Sequence, residues 1–294
     1  MRRLGSRLSG LKTVYFGGGT PALCDLGPVF DALAPHIGSD CEFTVELHPL
    51  DVTRPLLTSL RIGGVNRVSM GVQSLEDGVL AAMRRGYRAT QAVRSFAMVR
   101  SSFDNAGIDL IAGYPGESAD LGTRLPNLGE WGLAHCSVYA LQNERGLANV
   151  PDDETALDRI AETARFLSEI GLRRYEISNY AIPGRECRHN IAVWRGEDYF
   201  GLGEGAHGRL GLMRTVDYLG PNARIETVGT AADAAERRIF RLRTSEGLDA
   251  AGREDWRPVL GRFVSEGLLT RKGDVYRLTS RGTEVCDAIL AELV

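Results

Sequence analysis

The sequence predicts an α/β fold, a partial barrel of alternating strands and helices followed by a small winged-helix-like C-terminal domain. Three observations carry that prediction. Up to residue 177, short β-branched and aromatic runs alternate with stretches whose apolar residues recur every three or four positions. Six such units occur, and none opens with GxGxxG, which argues for a barrel-like parallel sheet over a dinucleotide fold. From Ala231 onward the pattern turns to helix, helix, short strand, helix.

Taken in order, Thr13–Phe16 reads as a strand that Gly17–Gly19 ends, because three glycines let the backbone turn where a Cβ would forbid it. Leu26, Val29, Phe30, Leu33 and Ile37 give residues 21–36 a helical stripe. Phe43–Leu47 is the next strand, and Leu56, Leu57, Leu60 and Ile62 form one helix face. The pattern then predicts a strand at Arg67–Val72, helices at Leu75–Met83 and Val93–Val99, and a strand at Ile108–Ile111. It continues with a helix over Leu121–Leu133, a strand at His135–Leu141, a long helix at Ala156–Ile170 and a last strand at Arg174–Ile177. The first domain is read as residues 1–219 and the second as 231–294, with 220–230 as the linker.

Composition narrows the function classes. The chain has 294 residues, 43% hydrophobic and 25% charged, and no apolar run near the roughly 20 residues of a membrane span. The basic N-terminus is not followed by an apolar segment of the secretory kind, so a cytoplasmic location is expected. A net charge of −3 gives no general attraction to nucleic acid. Residues 231–294 carry 11 Lys+Arg against 11 Asp+Glu, a difference of zero, so the winged-helix-like domain lacks a duplex reader's basic footprint and reads as a packing domain. The five cysteines, Cys24, Cys41, Cys136, Cys187 and Cys286, are dispersed with no CxxC or CxxxCxxC spacing.

In a parallel barrel the ligand sits at the carboxyl ends of the strands. Gly17, Gly18, Gly19, Thr20 and Pro21 stand there after the first strand, Glu46 with His48 at the second, and Gln73 at the third. Asp109 and the loop to Glu117 mark the fourth strand, and Tyr139 and Ala140 the fifth. A glycine cradle ringed by two carboxylates and an amide suits an amine and a ribose. Each residue also has an ordinary reading: Glu46 as a surface carboxylate, Gln73 as a helix cap, Asp109 as an arginine's buried partner, His48 as a turn residue before Pro49.

Four runs occur together and in order: Phe-Gly-Gly-Gly-Thr-Pro, Glu-Leu-His-Pro at 46–49, Gly-Val-Gln-Ser at 71–74, and Asp-Leu-Ile-Ala-Gly-Tyr-Pro-Gly-Glu at 109–117. With them the chain resembles the radical S-adenosylmethionine family, in the branch of oxygen-independent coproporphyrinogen III oxidases and heme chaperones. Tyr-Glu-Ile-Ser-Asn-Tyr-Ala at 175–181, Cys-Arg-His-Asn at 187–190, Trp-Arg-Gly at 194–196 and the run from Asp198 to Gly208 favour the chaperone side. The resemblance covers nearly the whole chain. It implies that the backbone of Gly18 to Thr20 with Glu46 holds the methionyl amine of S-adenosylmethionine, over the loop Gly17 to Pro21, and that Arg85 pairs with its carboxylate. It further implies Gln73 and Asp109 on the ribose hydroxyls and the backbone at Ala140 facing adenine. Arg85 offers the planar fork that a carboxylate matches, while adjacent Arg84 reads as a solvated charge.

The chain departs from the family pattern twice. The family holds a [4Fe-4S] cluster on a CxxxCxxC loop after the first barrel strand, and this sequence starts ahead of what corresponds to the second strand, either truncated or without that segment in its lineage. The chain as written is then expected not to cleave S-adenosylmethionine reductively, and Thr13–Phe16 to form an exposed sheet edge open to self-association. In the heme-associated HNxxYW pattern, His189, Asn190 and Trp194 match but Val193 occupies the tyrosine slot. His189 is the first heme-ligand candidate, in a loop, with Cys187 and His207 as others. The expected function is a heme chaperone that binds S-adenosylmethionine and heme and delivers heme to apo-proteins. The rivals are an oxygen-independent coproporphyrinogen III oxidase and a degenerate scaffold that binds neither ligand.

Overall fold

The computed structural model describes residues 10–142, 146–217 and 220–293. Contacts divide the chain into two compact units, Met1–Arg174 with Ser178–Glu186, and Tyr175–Ile177 with Cys187–Val294.

The first unit runs β1 (Leu11–Phe16), α1 (Gly27–Leu33), β2 (Ile37–Leu47), α2 (Arg54–Ile62), β3 (Arg67–Gln73), α3 (Asp77–Ala82), α4 (Ala89–Arg100), β4 (Asn105–Ala112), α5 (Leu121–Arg124), β5 (His135–Ala140), α6 (Asp153–Glu169), β6 (Arg173–Arg174) and β7 (Asn179–Ala181). The strands make one seven-stranded sheet in the order β1-β2-β3-β4-β5-β7-β6, with β1 at one margin. β1 to β5 are parallel, as the alternation of strands and helices predicts.

Strand periodicity sorts the two faces of this sheet. Val68, Met70 and Val72 of β3 and Ala106, Ile108 and Leu110 of β4 are buried in one core with Leu57 and Leu60 of α2 and Phe96 and Val99 of α4. The alternate positions, Arg67, Ser69, Gly71, Gly107, Asp109, His135 and Ser137, give the other face a polar lining, most of it also buried. The helices start and stop on local chemistry. Thr53 Oγ1 accepts from Leu56 N (3.3 Å) to open α2, and Asp152 Oδ1 accepts from Thr155 N (2.8 Å) to open α6.

The second unit contains α7 (Arg188–Trp194), a meander of β8 (His207–Leu210), β9 (Met213–Val216) and β10 (Arg224–Thr227), then α8 (Thr230–Phe240), β11 (Leu248–Asp249), α9 (Arg257–Ser265), β12 (Leu269–Lys272), β13 (Val275–Leu278), α10 (Ser280–Glu284) and α11 (Cys286–Ala291). β11, β13 and β12 form an antiparallel sheet over a core of Leu242, Trp256, Leu260, Phe263, Tyr276 and Ile289. Helix, strand, helix and the β12–β13 hairpin, followed by α10 and α11, make this end winged-helix-like.

Four expectations are corrected. The helix over 121–133 is broken after Arg124 and resumes only as a 3-10 turn at Leu128–Trp131, because Pro126 removes a donor and Asn127 sits at φ 54. The strand expected at 174–177 is only Arg173–Arg174, and the edge of the sheet is not parallel: β7 inserts antiparallel between β5 and β6. The stretch 220–230 is not a bare linker, since Arg224–Thr227 pairs residue for residue with Met213–Val216, and the contact division falls earlier, between Glu186 and Cys187. Residues 188–194 are helix α7 and not a loop. Gly196 at φ 68 ends it, its N–H bonded to Val193 O (2.9 Å).

Candidate functional site

Parallel strands deliver their carboxyl ends to one side of the sheet, and the predicted residues meet there. The loop after β1 passes so close to β2 that a Cβ on Gly17 would lie 2.8 Å from Glu46 Oε1 and 2.7 Å from Tyr15 Cε1. Gly18 and Gly19 follow at φ 76 and 70 with open space around them, and Thr20 starts the 3-10 turn Pro21–Leu23. Glu46 stitches the loop down: Gly18 N–H donates to Oε2 (3.1 Å) and Tyr15 OH to Oε1 (2.7 Å). Two donors leave lone pairs on a carboxylate for an ammonium. The loop therefore fits a small amine-bearing ligand on its open side.

At the end of β3 the register slips between Gly71 and Gln73, and Gln73 takes φ 66, a left-handed conformation that costs a non-glycine residue about 1 kcal/mol or more. Arg85 reaches back to the same turn. Its Nη2 donates to Gly71 O (3.2 Å), its Nε to Tyr87 OH (3.5 Å), and its guanidinium stands 5.8 Å from the centre of the Tyr87 ring. Tyr87 is buried and donates in turn to Val72 O (2.7 Å). Among the described residues Arg85 makes no ion pair. Arg84, by contrast, is exposed at φ 56, the solvated neighbour that the sequence suggests.

Asp109 lies one register step from this turn, paired with Gly71 on one side and Ser137 on the other. Ser69 Oγ donates to its Oδ1 (3.0 Å) and the Ser137 hydroxyl bonds the same carboxyl. Burial, with the charge of Glu46 behind it, pushes Asp109 up to about 6 against those two donors and Arg67. Ala140 ends β5 exposed, opposite Ala112 of β4, whose carbonyl takes Leu141 N–H (2.9 Å).

Two residues of the sequence constellation are occupied elsewhere. His48 Nδ1 accepts from Leu50 N (3.3 Å) and its ring packs edge-on to Tyr87 at 5.2 Å, the turn role read from Pro49; burial and the charge of Arg85 hold its pKa low. Glu117 accepts from Gly113 N (2.7 Å) and from Arg159 Nη1 (2.9 Å), so it holds the loop after β4 together. Sequence reading missed Tyr15, Ser69, Tyr87 and Ser137, which orient Glu46, Asp109 and Arg85. The serines were legible as the polar half of a period-two pattern, Arg67-Val-Ser69-Met-Gly71 and His135-Cys-Ser137-Val.

In the second unit Cys187 is buried at the start of α7, its N–H donating to Tyr175 OH (3.2 Å). His189 is half-buried on α7, edge-on to Tyr199 at 6.2 Å, and His207 is exposed at the start of β8. Trp194 is held by its indole N–H on Glu176 Oε2 (3.0 Å), by Arg243 over its ring at 4.6 Å and by Phe240 against its edge. Cys24 is exposed, whereas Cys41, Cys136, Cys187 and Cys286 are buried on separate elements. Among the described residues no three His, Cys, Asp or Glu side chains gather as metal ligands, so these residues do not form a cradle for an iron–sulfur cluster. No described helix is long and apolar enough to cross a membrane.

The radical SAM superfamily model matches residues 1–121. Similarity to the heme chaperone HemW of Mycobacterium tuberculosis H37Rv is 33% identity over 96% of this chain and 80% of that one. For the HemW of Escherichia coli K12 it is 29% over 95% and 83%. The solved structure of coproporphyrinogen III oxidase (HemN) from Escherichia coli, a radical SAM enzyme, matches with a TM-score of 0.80 at 20% identity, covering 96% of this chain and 77% of that one. That last likeness speaks to the fold alone. Identity at the level of the mycobacterial protein, spanning the strands, the glycine loop and both units, makes this chain a member of the HemW heme chaperone family within the radical SAM superfamily.

Proposed function

We propose that the chain binds S-adenosylmethionine at the carboxyl ends of β1 to β5 and heme through α7, for delivery to apo-proteins. The observation that carries the first half is Arg85, a half-buried guanidinium fixed over the end of β3 with no carboxylate partner among the described residues. A positive charge so placed is stabilised by an anion. The ligand carboxylate would meet Arg85, its amine Glu46 and the carbonyls of residues 17–21. Its ribose hydroxyls would meet Gln73 and Asp109, and its adenine the backbone at Ala140. Bound there, the ligand would supply a sulfonium cation, and the residues' part is to bind and orient it.

Calorimetry tests this half. Arg85→Ala should lose on the order of 2 to 4 kcal/mol of S-adenosylmethionine affinity, roughly 30- to 1000-fold. Equal affinity for wild type and variant would remove Arg85 from the site. The heme half rests on His189, the half-buried imidazole of α7, while the buried Cys187 is poorly placed for an exchangeable ligand. Hemin should give a Soret band that weakens in His189→Ala. An unchanged band would transfer the role to exposed His207.

A further inference from the structure

Asp109, Ser137 and Asn179 stand opposite one another across β4, β5 and β7, so their side chains share the polar face of the sheet. Ser137 Oγ lies 2.7 Å from Asn179 Oδ1 and also bonds the Asp109 carboxyl. A serine hydroxyl carries one proton, and here it has two acceptors. When that proton points to Asn179 Oδ1, Asp109 keeps Ser69 as its side-chain donor. When Ser137 donates to an ionised Asp109, its oxygen faces Asn179 Oδ1 at 2.7 Å with no proton between them, and turning the amide NH2 toward Ser137 Oγ replaces that repulsion with a bond. The result is a chain of aligned donors, amide to hydroxyl to carboxylate, in which each bond polarises the next. The charged groups acting on Asp109 are Glu46 from β2 and Arg67 from β3; the Asp109 charge in turn acts on Cys136, on the opposite face of β5, and Arg67 acts on His135.

We propose that Asn179 acts through Ser137 as a positioning residue for Asp109, its amide orientation deciding whether the Ser137 proton is given to that carboxylate. The use made of this arrangement rests on the reading of Asp109 as the ribose acceptor, because only the ionised carboxylate accepts from both vicinal hydroxyls. The arrangement itself needs no ligand. A residue that merely tied β7 to β5 would feel the Asp109 charge through space alone, and equally with or without the Ser137 hydroxyl.

The test is an NMR titration of the full chain, carrying 13C at Asp carboxyls and 15N at Asn side chains, without ligand. The Asn179 side-chain amide should shift with the midpoint of the Asp109 carboxyl carbon. Ser137→Ala should raise that midpoint by about half a pH unit or more, since the ionised form loses a donor, and should silence the Asn179 response. An Asn179 amide that stays flat through the Asp109 titration overturns the proposal, and so does an unmoved midpoint in Ser137→Ala. Adding S-adenosylmethionine to the same wild-type sample separates the two readings. A coupled titration without binding supports the relay and removes the ribose role. Binding with a flat Asn179 removes the relay and leaves the ribose role standing.

Discussion

Arg85 and Arg195 show how differently the two units use similar residues. Both arginines sit beside glycines and aromatic residues in runs that read as motifs. Arg195 is consumed within its unit: its Nε donates to Glu246 Oε1 (3.0 Å), its Nη2 bonds the same carboxylate, and that pairing raises its own pKa and lowers that of Glu246. Arg85 meets a backbone carbonyl and a tyrosine hydroxyl, but no carboxylate among the described residues. The contrast extends outward. Around α7, Trp194 is held by Glu176 and Arg243, and Asp198 accepts from Gly211 N (2.9 Å). A Cβ on Gly201 or Gly208 would strike backbone or side-chain atoms within 2.5 Å. At the ends of β1 to β4, by contrast, Gly18 and Gly19 face open space, Gln73 is strained and Asp109 is held ionisable at some cost. A motif whose groups are mutually satisfied stabilises the fold; one that leaves charge, strain and space together is where a ligand is to be sought.

Removing Trp194 should break that contrast most visibly. Trp194→Ala deletes a half-buried ring, its bond to Glu176 and the cation over its face, at a cost of about 3 kcal/mol, the lower end for tryptophan truncation because the ring is not fully buried. Urea unfolding followed by circular dichroism measures it, and S-adenosylmethionine affinity should be unchanged. A loss below about 1 kcal/mol would mean that Trp194 is not spent on structure.

Asp109→Asn should do the reverse, stabilising the fold while weakening the ligand. The folded carboxyl titrates near 6, above its ordinary value of 3.8, so between those values the folded chain holds more proton than the unfolded one. The stability that the protonated form contributes is complete below about pH 3.8 and is lost as pH rises through about 6. Asparagine removes the charge, and its amide can donate to Ser137 while Ser69 donates to its oxygen. The variant should therefore unfold about 1 to 3 kcal/mol harder than wild type at pH 7.5 and nearly equally at pH 4. A variant less stable at both values would show that the carboxylate is well solvated.

Much of this was legible beforehand. The five parallel strands follow from their β-branched runs and from the glycines that end them, and the residues at their carboxyl ends follow from topology. Asn179–Ala181 was not legible as an antiparallel insertion, because three residues carry too little periodicity to show a direction. Pro126 was a visible break in the helix over 121–133 that the apolar spacing overrode. The same difficulty hid α7. Cys-Arg-His-Asn reads as loop chemistry, and only the apolar Ile191, Val193 and Trp194 behind it, with Gly196 as a stop, mark a two-turn helix. Ser69 and Ser137 were missed because a serine on a buried strand is ordinary until the carboxylate beside it is known.

The smallest expected effect sharpens the comparison within the second unit. On α7, Val193 lies four residues after His189 and so one turn along the same helix face, while Trp194 belongs to the face that meets Glu176 and Arg243. The substitution Val193→Tyr therefore adds a phenol beside the imidazole without disturbing the indole's anchors. An aromatic ring there can stack on a porphyrin edge and its hydroxyl can meet a propionate, together worth about 1 kcal/mol, or a few-fold in hemin affinity. Val193 is itself half-buried, so the ring must swing outward, and the stability of the variant should stay within about 1 kcal/mol of wild type. Hemin titration of wild type, Val193→Tyr, His189→Ala and the double variant measures the coupling. If tyrosine tightens binding only when His189 is present, both residues face one ligand and α7 carries an open site inside an otherwise closed unit. If it tightens binding equally without His189, the gain is nonspecific contact, and the heme reading of α7 loses its geometric support.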